Sequence, residues 1–498
     1  MKPKYPLESQ TGKFTITPPP INKWLITTTL MLGTLIAIID TSIVNVAIPQ
    51  IQSNLGGSID EISSVVTFYI ISNVIVMPLT GYLSALWGRK QFYAGAIILF
   101  TIASLLCGLS WNLSALVFFR ILQGLGAGVL FPTAQAILLD TFPREEHGKA
   151  MSIFGLGMLV APALGPVLGG YLADTLTWRS IFLINVPIGL IAAVMVFRFI
   201  HDSPYLKKPQ GKFDWSGLIA LVIGLSSLQY VLENGQRLNW FDSTLIIVLL
   251  IVGVSAIAYL VWWELVNPSP IMDLSLFRNR TFALGNIITF LAGFSLFGVL
   301  FISPVFLSQV LKYDSLTIGM LLMPGPVATA LIMPLTGVLA NRLDARMLLA
   351  IGIAFSAGGT WQLSDLNLQS DYWDIFWPQV WRGIGLGLLF VPLSLTTLGY
   401  VSKAKRTSAS GLYNLINQLG GSIGIAGLAL MLGRLQAFHS TNLAPIIKQS
   451  EIVQQQAAVL AYNDLFRYST LIILASYLPL LFLKVRLKTR KKAPIILG

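Results

Sequence analysis

Fourteen stretches of the chain run for roughly 20 residues each with few or no charges, the length that crosses the hydrocarbon core of a bilayer. They lie near 24–48, 60–83, 91–110, 113–139, 150–172, 181–200, 215–232 and 243–263. Six more lie near 282–305, 316–340, 347–363, 376–400, 407–432 and 465–483. Ser226, Ser227 and Gln229 dilute the stretch at 215–232. The polar positions gather between the stretches. The first stretch is too long for the core of a secretory leader and lacks a convincing cleavage site, so it reads as a span that stays. The pattern predicts an all-α integral membrane protein of 14 transmembrane helices.

Composition fits this picture. Hydrophobic residues make up 55% and charged residues 11% of the 498. A soluble domain carries about 25% charged residues. The net charge of +12 raises the question of nucleic acid, and the distribution of that charge answers it. With the N-terminus inside, 25 of the 33 Lys and Arg fall in inside segments and 6 in outside loops. Arg120 and Arg382 fall within spans. This asymmetry predicts both termini in the cytoplasm by the positive-inside rule. The basic run from Lys484 to Lys492 is expected to lie against anionic headgroups. One cysteine, Cys107, allows no internal disulfide, and the spacing of His147, His201 and His439 fits no zinc motif. No metal, cofactor or enzymatic chemistry is expected.

The pattern also repeats. Met77-Pro78-Leu79-Thr80-Gly81 recurs as Met333-Pro334-Leu335-Thr336-Gly337, displaced by 256 residues. Lys149, Ser152, Gly155 and Gly165 recur at the same displacement as Lys405, Ser408, Gly411 and Gly421. Two separated matches imply a duplicated six-helix unit with two further helices inserted between the copies. An even number of spans gives both copies one orientation, which is a transporter architecture with its site near the midplane between the halves. The expected organisation is an N-terminal tail at 1–23, a bundle at 24–200 and a linker with two extra helices at 201–281. A second bundle follows at 282–483, with a long outer loop at 434–464, and then a basic tail at 484–498.

Of the 21 acidic residues, Asp40 alone is placed deep in a span; Glu233 and Glu264 fall at span ends. A carboxylate inside the bilayer is a functional hypothesis by default. Burial disfavours its charged form and a nearby cation favours it, which suits a proton carrier. Arg120 lies at about the same depth, roughly 11–12 Å from the outer surface at 1.5 Å per residue. Gln123 and Gly124 share its helix face. In the span at 150–172, Pro162 and Pro166 are expected to bend the helix. Ala161, Gly165 and Gly169 form a small-residue stripe for close packing, followed by Gly170. The short basic turn holding Gly81, Gly88, Arg89 and Lys90 can restrain two helices and gate their movement. Gly124 to Gly128 lie mid-span, so this glycine run is packing rather than a phosphate loop. Without a P-loop, direct ATP drive is not expected.

These residues resemble the major facilitator superfamily, specifically its fourteen-helix drug–proton antiporters of the EmrB/QacA type. The resemblance covers nearly the whole chain. Asp40-Thr41-Ser42-Ile43-Val44-Asn45-Val46-Ala47-Ile48-Pro49 looks like that family's first-helix motif, and Arg120-Ile121-Leu122-Gln123-Gly124 its fourth-helix motif. Both imply a part in proton coupling. Gly165-Pro166 and Gly169-Gly170 match the fifth-helix signature associated with antiport. Two departures stand out: Ala85 sits where the superfamily usually has Asp, and the span at 316–340 holds no carboxylate. The long outer loop looks more like the EmrB branch.

The resemblance implies a proton-coupled efflux transporter of hydrophobic, drug-like compounds in the bacterial inner membrane, working by alternating access. It also implies a periplasmic adaptor protein and an outer-membrane channel as partners. A dedicated exporter of one metabolite, such as a siderophore or fatty acid, is the alternative. A non-transporting receptor or channel is the reading from another class. Tyr69, Asn73, Gln123, Phe297, Phe301, Tyr413 and Asn417 are candidates to line a central substrate cavity, chosen by residue type and span.

Overall fold

A membrane helix satisfies its own backbone hydrogen bonds, so the apolar stretches fold as helices with polar caps where they leave the bilayer. The computed structural model describes residues 22–202, 208, 213–340, 342–444 and 450–483, and among these the side chains of 59–60, 158–164, 166–167, 174, 315 and 450 are not described. The basic run from Lys484 to Lys492, most of the N-terminal tail, and the side chains of Pro162 and Pro166 lie outside the described residues.

The elements are α1 (Lys23–Leu55), α2 (Ile59–Val76, continuing as Thr80–Trp87), α3 (Arg89–Gly108), α4 (Leu113–Thr141), α5 (His147–Thr175), α6 (Ser180–Phe199) and α7 (Trp215–Asn234). Then come α8 (Thr244–Val266), α9 (Arg280–Gln309), α10 (Leu316–Leu339), α11 (Ala345–Gln362), α12 (Tyr372–Gly399), α13 (Arg406–Leu443) and α14 (Ser450–Ala475, continuing as Tyr477–Phe482). Twelve of these are long and apolar enough to cross a membrane, and the bent α2 makes a thirteenth. With its 29 residues, α5 has the length for the fourteenth. Side-chain caps mark many of the starts. Asn22 accepts from the backbone of Trp24 at 3.1 Å, and Ser58 with Glu61 closes a capping box.

The first bundle is α1–α6 and the second α9–α14. Their pseudo-symmetry is visible atom by atom. A Cβ added to Gly81 would overlap Ser408, and one added to Gly337 would lie 2.6 Å from Ser152 Oγ. Adding 256 to Gly81 and Ser152 gives Gly337 and Ser408, so the repeated residues meet crosswise. They form the seam between the bundles, α2 against α13 and α10 against α5. The buried apolar side chains show which end of the seam is shut. One cluster includes Ile26, Phe154, Met333 and Leu480 and runs through both bundles near the end where α1 begins. At the far end the core divides in two: Ile43, Leu116 and Trp178 belong to the first bundle, Phe306, Leu428 and Tyr462 to the second. The bundles are therefore joined at the near end and have separate cores at the far end.

The inserted helices sit on one side. Gln229 of α7 donates to Ser422 of α13 at 2.9 Å, and Arg237 beyond α7 donates to Ser63 of α2 at 2.9 Å. Thus α7 touches both bundles, while α8 packs on α7 and leaves most of its apolar surface exposed.

Two local features depart from the sequence pattern. The stretch 434–464 is not a loop over its described residues: α13 runs 38 residues to Leu443 and α14 starts at Ser450. The segment is polar, so it carries no span signal, yet 434–443 holds neither Gly nor Pro to stop the helix. His439 and Asp464, 2.8 Å apart, tie the two extensions together. The repeated Met-Pro-Leu-Thr-Gly sequence also behaves differently in its two copies. It breaks α2 with a bend of 63°, whereas Pro334 lies inside continuous helix in α10.

Candidate functional site

The deepest polar cluster is built by five helices of the first bundle. Asp40 comes from α1, Ser104 from α3, Arg120 and Gln123 from α4, Asn185 from α6, and Tyr69 of α2 closes one side. Asp40, Arg120, Gln123 and Ser104 are each 0% exposed. Asp40 Oδ2 lies 2.5 Å from Arg120 Nη1. Asp40 Oδ1 accepts from Gln123 Nε2 at 2.8 Å and from Asn185 Nδ2 at 3.0 Å. Arg120 Nη1 also reaches Gln123 Oε1 at 2.8 Å, and its Nε donates to the Val65 carbonyl at 3.2 Å. The guanidinium carbon stands 3.9 Å over the Tyr69 ring. Ser104 accepts from Gln123 and Asn185 and donates to the Phe182 carbonyl.

Taking two charges out of water costs several kcal/mol per ion unless the geometry is good and the remaining lone pairs are satisfied. Here both carboxylate oxygens have donors and both members of the pair have further partners. Protonating Asp40 would remove the negative charge while leaving the neutral hydrogen-bonding framework in place. The carboxylate and its cation are both fully buried within the bundle.

The stripe on α5 packs beside this cluster. A Cβ on Gly165 would overlap Ser42 of α1, and one on Gly169 would lie 2.8 Å from Ile43 Cγ1. Glycine at both positions lets α5 rest against α1 two and three residues beyond Asp40. Gly170 faces open space and takes no part in this contact.

A second polar cluster closes the seam at the near end. Asp140, at the end of α4, is bound by Arg89 of α3 and by Arg406 of α13. Arg89 also donates to Thr407 Oγ1 at 2.8 Å and to the Lys403 carbonyl at 3.0 Å, and Arg406 to the Leu139 carbonyl at 2.8 Å. Deeper in the seam, Gln135 of α4 accepts from Ser410 at 2.7 Å and from Asn414 at 3.1 Å. Gly88 has φ of +86°, a conformation L side chains rarely adopt, and sets the turn that delivers Arg89. Lys90 turns away from the seam: its Nζ binds the Phe197 carbonyl of α6 at 2.7 Å and its backbone N–H Asp202, just beyond α6, at 2.9 Å.

Two candidate cavity residues do something else. Gln123 is fully buried and bonded to Asp40 and Arg120, and Tyr69 lies beneath Arg120 with its hydroxyl on the Ala37 carbonyl at 3.2 Å. Both belong to the charge cluster. Asn73 sits where α2 meets Gly128 of α4, Phe297 packs on Gly421, and the Asn417 carbonyl lies against Gly293. Tyr413 is buried and Phe301 exposed. Clefts of about 310 and 300 Å³ open at the far end, around Trp240 and Arg434 and around Trp373 and Asp365, and none of these candidates lines either.

Sequence reading missed Ser104 and Asn185, whose residue types are common in helices, and the Asp140–Arg406 pair, whose members are 266 residues apart. A buried Asn in an otherwise apolar span was the available signal for Asn185.

The sequence profile of the Major Facilitator Superfamily matches residues 30–425. The chain is 35% identical over 420 residues to the multidrug export protein EmrB of Escherichia coli K12, covering 84% of this chain and 82% of that one. It is 33% identical over 449 residues to the fatty acid resistance protein FarB of Neisseria gonorrhoeae, covering 90% and 88%. Among solved structures, the proton:xylose symporter XylE superposes with a TM-score of 0.61 at 15% identity, covering 91% of this chain and 95% of that one, a likeness of fold.

Proposed function

The chain belongs to the major facilitator superfamily, in the branch of the EmrB-type export proteins, and from that premise we propose that it is a proton-coupled exporter of hydrophobic, drug-like compounds. It is a multi-pass membrane transporter and not an enzyme. The observation that carries the proton coupling is Asp40, fully buried in a span and held by Arg120, Gln123 and Asn185. A multidrug export protein and a fatty acid resistance protein among its relatives support a cargo of that kind. The reading places the protein in the bacterial inner membrane with its termini in the cytoplasm, as the basic residues favour. The near end of the seam then faces the cytoplasm and the structure represents the state closed on that side.

In this reading a proton from outside neutralises Asp40, loosening the hold of α1 on Arg120. The glycine contacts of α5 carry the change into the neighbouring helix, and the seam around Asp140 opens to admit cargo. The helical extensions of α13 and α14 would project outward, where a periplasmic adaptor leading to an outer-membrane channel would meet them.

Purified protein in liposomes tests the reading. Adding a transported compound should drive proton movement across the vesicle membrane. Absence of coupled flux for every member of a broad compound panel would sink it. Replacing Arg120 by Ala is expected to lower coupled export at least tenfold, since it strips Asp40 of its cation; unchanged coupling would remove Arg120 from the mechanism. Replacing Asp140 by Asn should weaken the cytoplasmic closure. A cysteine introduced at Ser410 should then label several-fold faster from the cytoplasmic side, and equal rates would show that the ion pairs do not hold the seam.

A further inference from the structure

The second bundle holds its own buried arginine, and it lacks the partner the first one has. Arg382 of α12 is 93% buried, and among the described residues its one hydrogen bond goes from Nη1 to Gln379 Oε1 at 2.8 Å, one turn away. It forms no ion pair with any described residue. A guanidinium carries five N–H donors and no acceptor, and an ionised side chain inside a bilayer is retained there for a partner.

The repeat register identifies what surrounds it. Gly124 of α4 approaches Tyr69 and Ser72, as Gly383 of α12 approaches Gly325 and Ala328. Gly126 meets Ala96 and Phe100, as Gly385 meets Gly352 and Ser356. Thus α2 and α3 map onto α10 and α11 by 256 residues, and α4 onto α12 by 259. Arg120 then corresponds to Gln379, and Gln123 to Arg382: the arginine–glutamine pair is present in both bundles with its members exchanged. The contacts of Gly165 with Ser42 and of Gly421 with Phe297 map Asp40 onto Ser295. Arg179 binds the Ser110 carbonyl as Asn463 binds that of Leu366, which maps Asn185 onto Ser469. The place of the carboxylate is therefore taken by a hydroxyl. Ser469 is fully buried and, among the described residues, its Oγ has no hydrogen-bond partner.

We propose that this is an anion-binding site: Arg382, with Gln379 and with Ser295 and Ser469 at the positions that correspond to Asp40 and Asn185, takes the monovalent anionic group that Asp40 supplies internally in the first bundle. The group is the carboxylate of an amphiphilic cargo or a small free anion. The carboxylate form rests on the exporter reading and names a class of cargo for it; binding of an anion does not depend on that reading.

Full-length protein in nanodiscs is titrated calorimetrically with dodecanoate, with dodecanol of the same chain length, and with sodium chloride. Dodecanoate should bind at least tenfold more tightly than dodecanol. Arg382→Gln should abolish that difference while dodecanol binding is unchanged, and Arg382→Lys should restore part of it. Saturable chloride binding that is lost in Arg382→Gln, without any preference for dodecanoate, would support the site and identify a free anion as its ligand. Equal binding of both anions to wild type and Arg382→Gln, with both proteins monodisperse, would overturn the proposal. If wild type binds dodecanoate through Arg382 but no compound drives proton flux, the exporter reading fails and the site stands.

Discussion

Changing Asp40 to Asn is expected to abolish proton-driven export while the protein remains folded in the membrane. Asn has nearly the same shape and keeps an oxygen that can accept from Gln123 and Asn185, so the neutral part of the network survives. What it loses is the negative charge 2.5 Å from Arg120 and the capacity to bind a proton. Removing one member of a buried ion pair costs about 3–5 kcal/mol when nothing replaces it. The retained hydrogen bonds, the Val65 carbonyl and the Tyr69 ring offset part of that here. Transport of a fluorescent substrate into everted vesicles, energised by a proton gradient, should fall to background, while yield and chromatographic behaviour stay near wild type. Normal export by the variant would take Asp40 out of the coupling mechanism.

Gly81→Leu should be almost as damaging, for a different reason. A Cβ at this position lies 2.6 Å from the Ser408 Cα, so the obstacle is backbone and cannot rotate away. Separating α2 from α13 is the way to accommodate it. Overpacking of this kind costs about 1–3 kcal/mol, which lowers the closed-to-open ratio of the seam by roughly 5- to 150-fold. Export should fall accordingly, and a cysteine at Ser410 should become readily labelled even though Asp140 and its two arginines are intact. Gly337→Leu probes the pseudo-equivalent contact with Ser152 and the Gly148 carbonyl. Wild-type transport in both variants would mean that the near end need not close this tightly.

Much of this was legible in the sequence. Length and apolarity locate the spans because the bilayer admits few other structures, and the 256-residue displacement emerges again in the seam contacts. Equal depth put Asp40 and Arg120 within reach of each other because both had to lie about the same number of turns from one surface, and the structure brings them into contact. Depth arithmetic says nothing of direction around a helix, so Tyr69 reads only as a cavity wall, whereas its ring lies against Arg120; Gln123, which spacing puts on the face of Arg120, is bonded to that guanidinium. The seam pair of Asp140 and Arg406 was hidden for a related reason: each looks like an ordinary charge at a helix end until the bundles are brought together. The twin Met-Pro-Leu-Thr-Gly segments set a further limit. Identical residues bend one helix and not the other, so the tertiary surroundings decide. The helical part of 434–464 was missed because hydropathy reports burial in lipid and is silent about a polar helix in water.

The length of α13 has a mechanical consequence. At 1.5 Å per residue its 38 residues span about 57 Å, nearly twice the hydrocarbon thickness. Its first residue, Arg406, is clamped to Asp140, and its last turns run beside α14, tied to it by His439 and Asp464. Such a rod is a lever. Pivoting it by about 10° around the clamped end would swing the tip by roughly 10 Å, given its length. In the proposed transport cycle a small rotation at one end of this helix would thereby become a large displacement at the other.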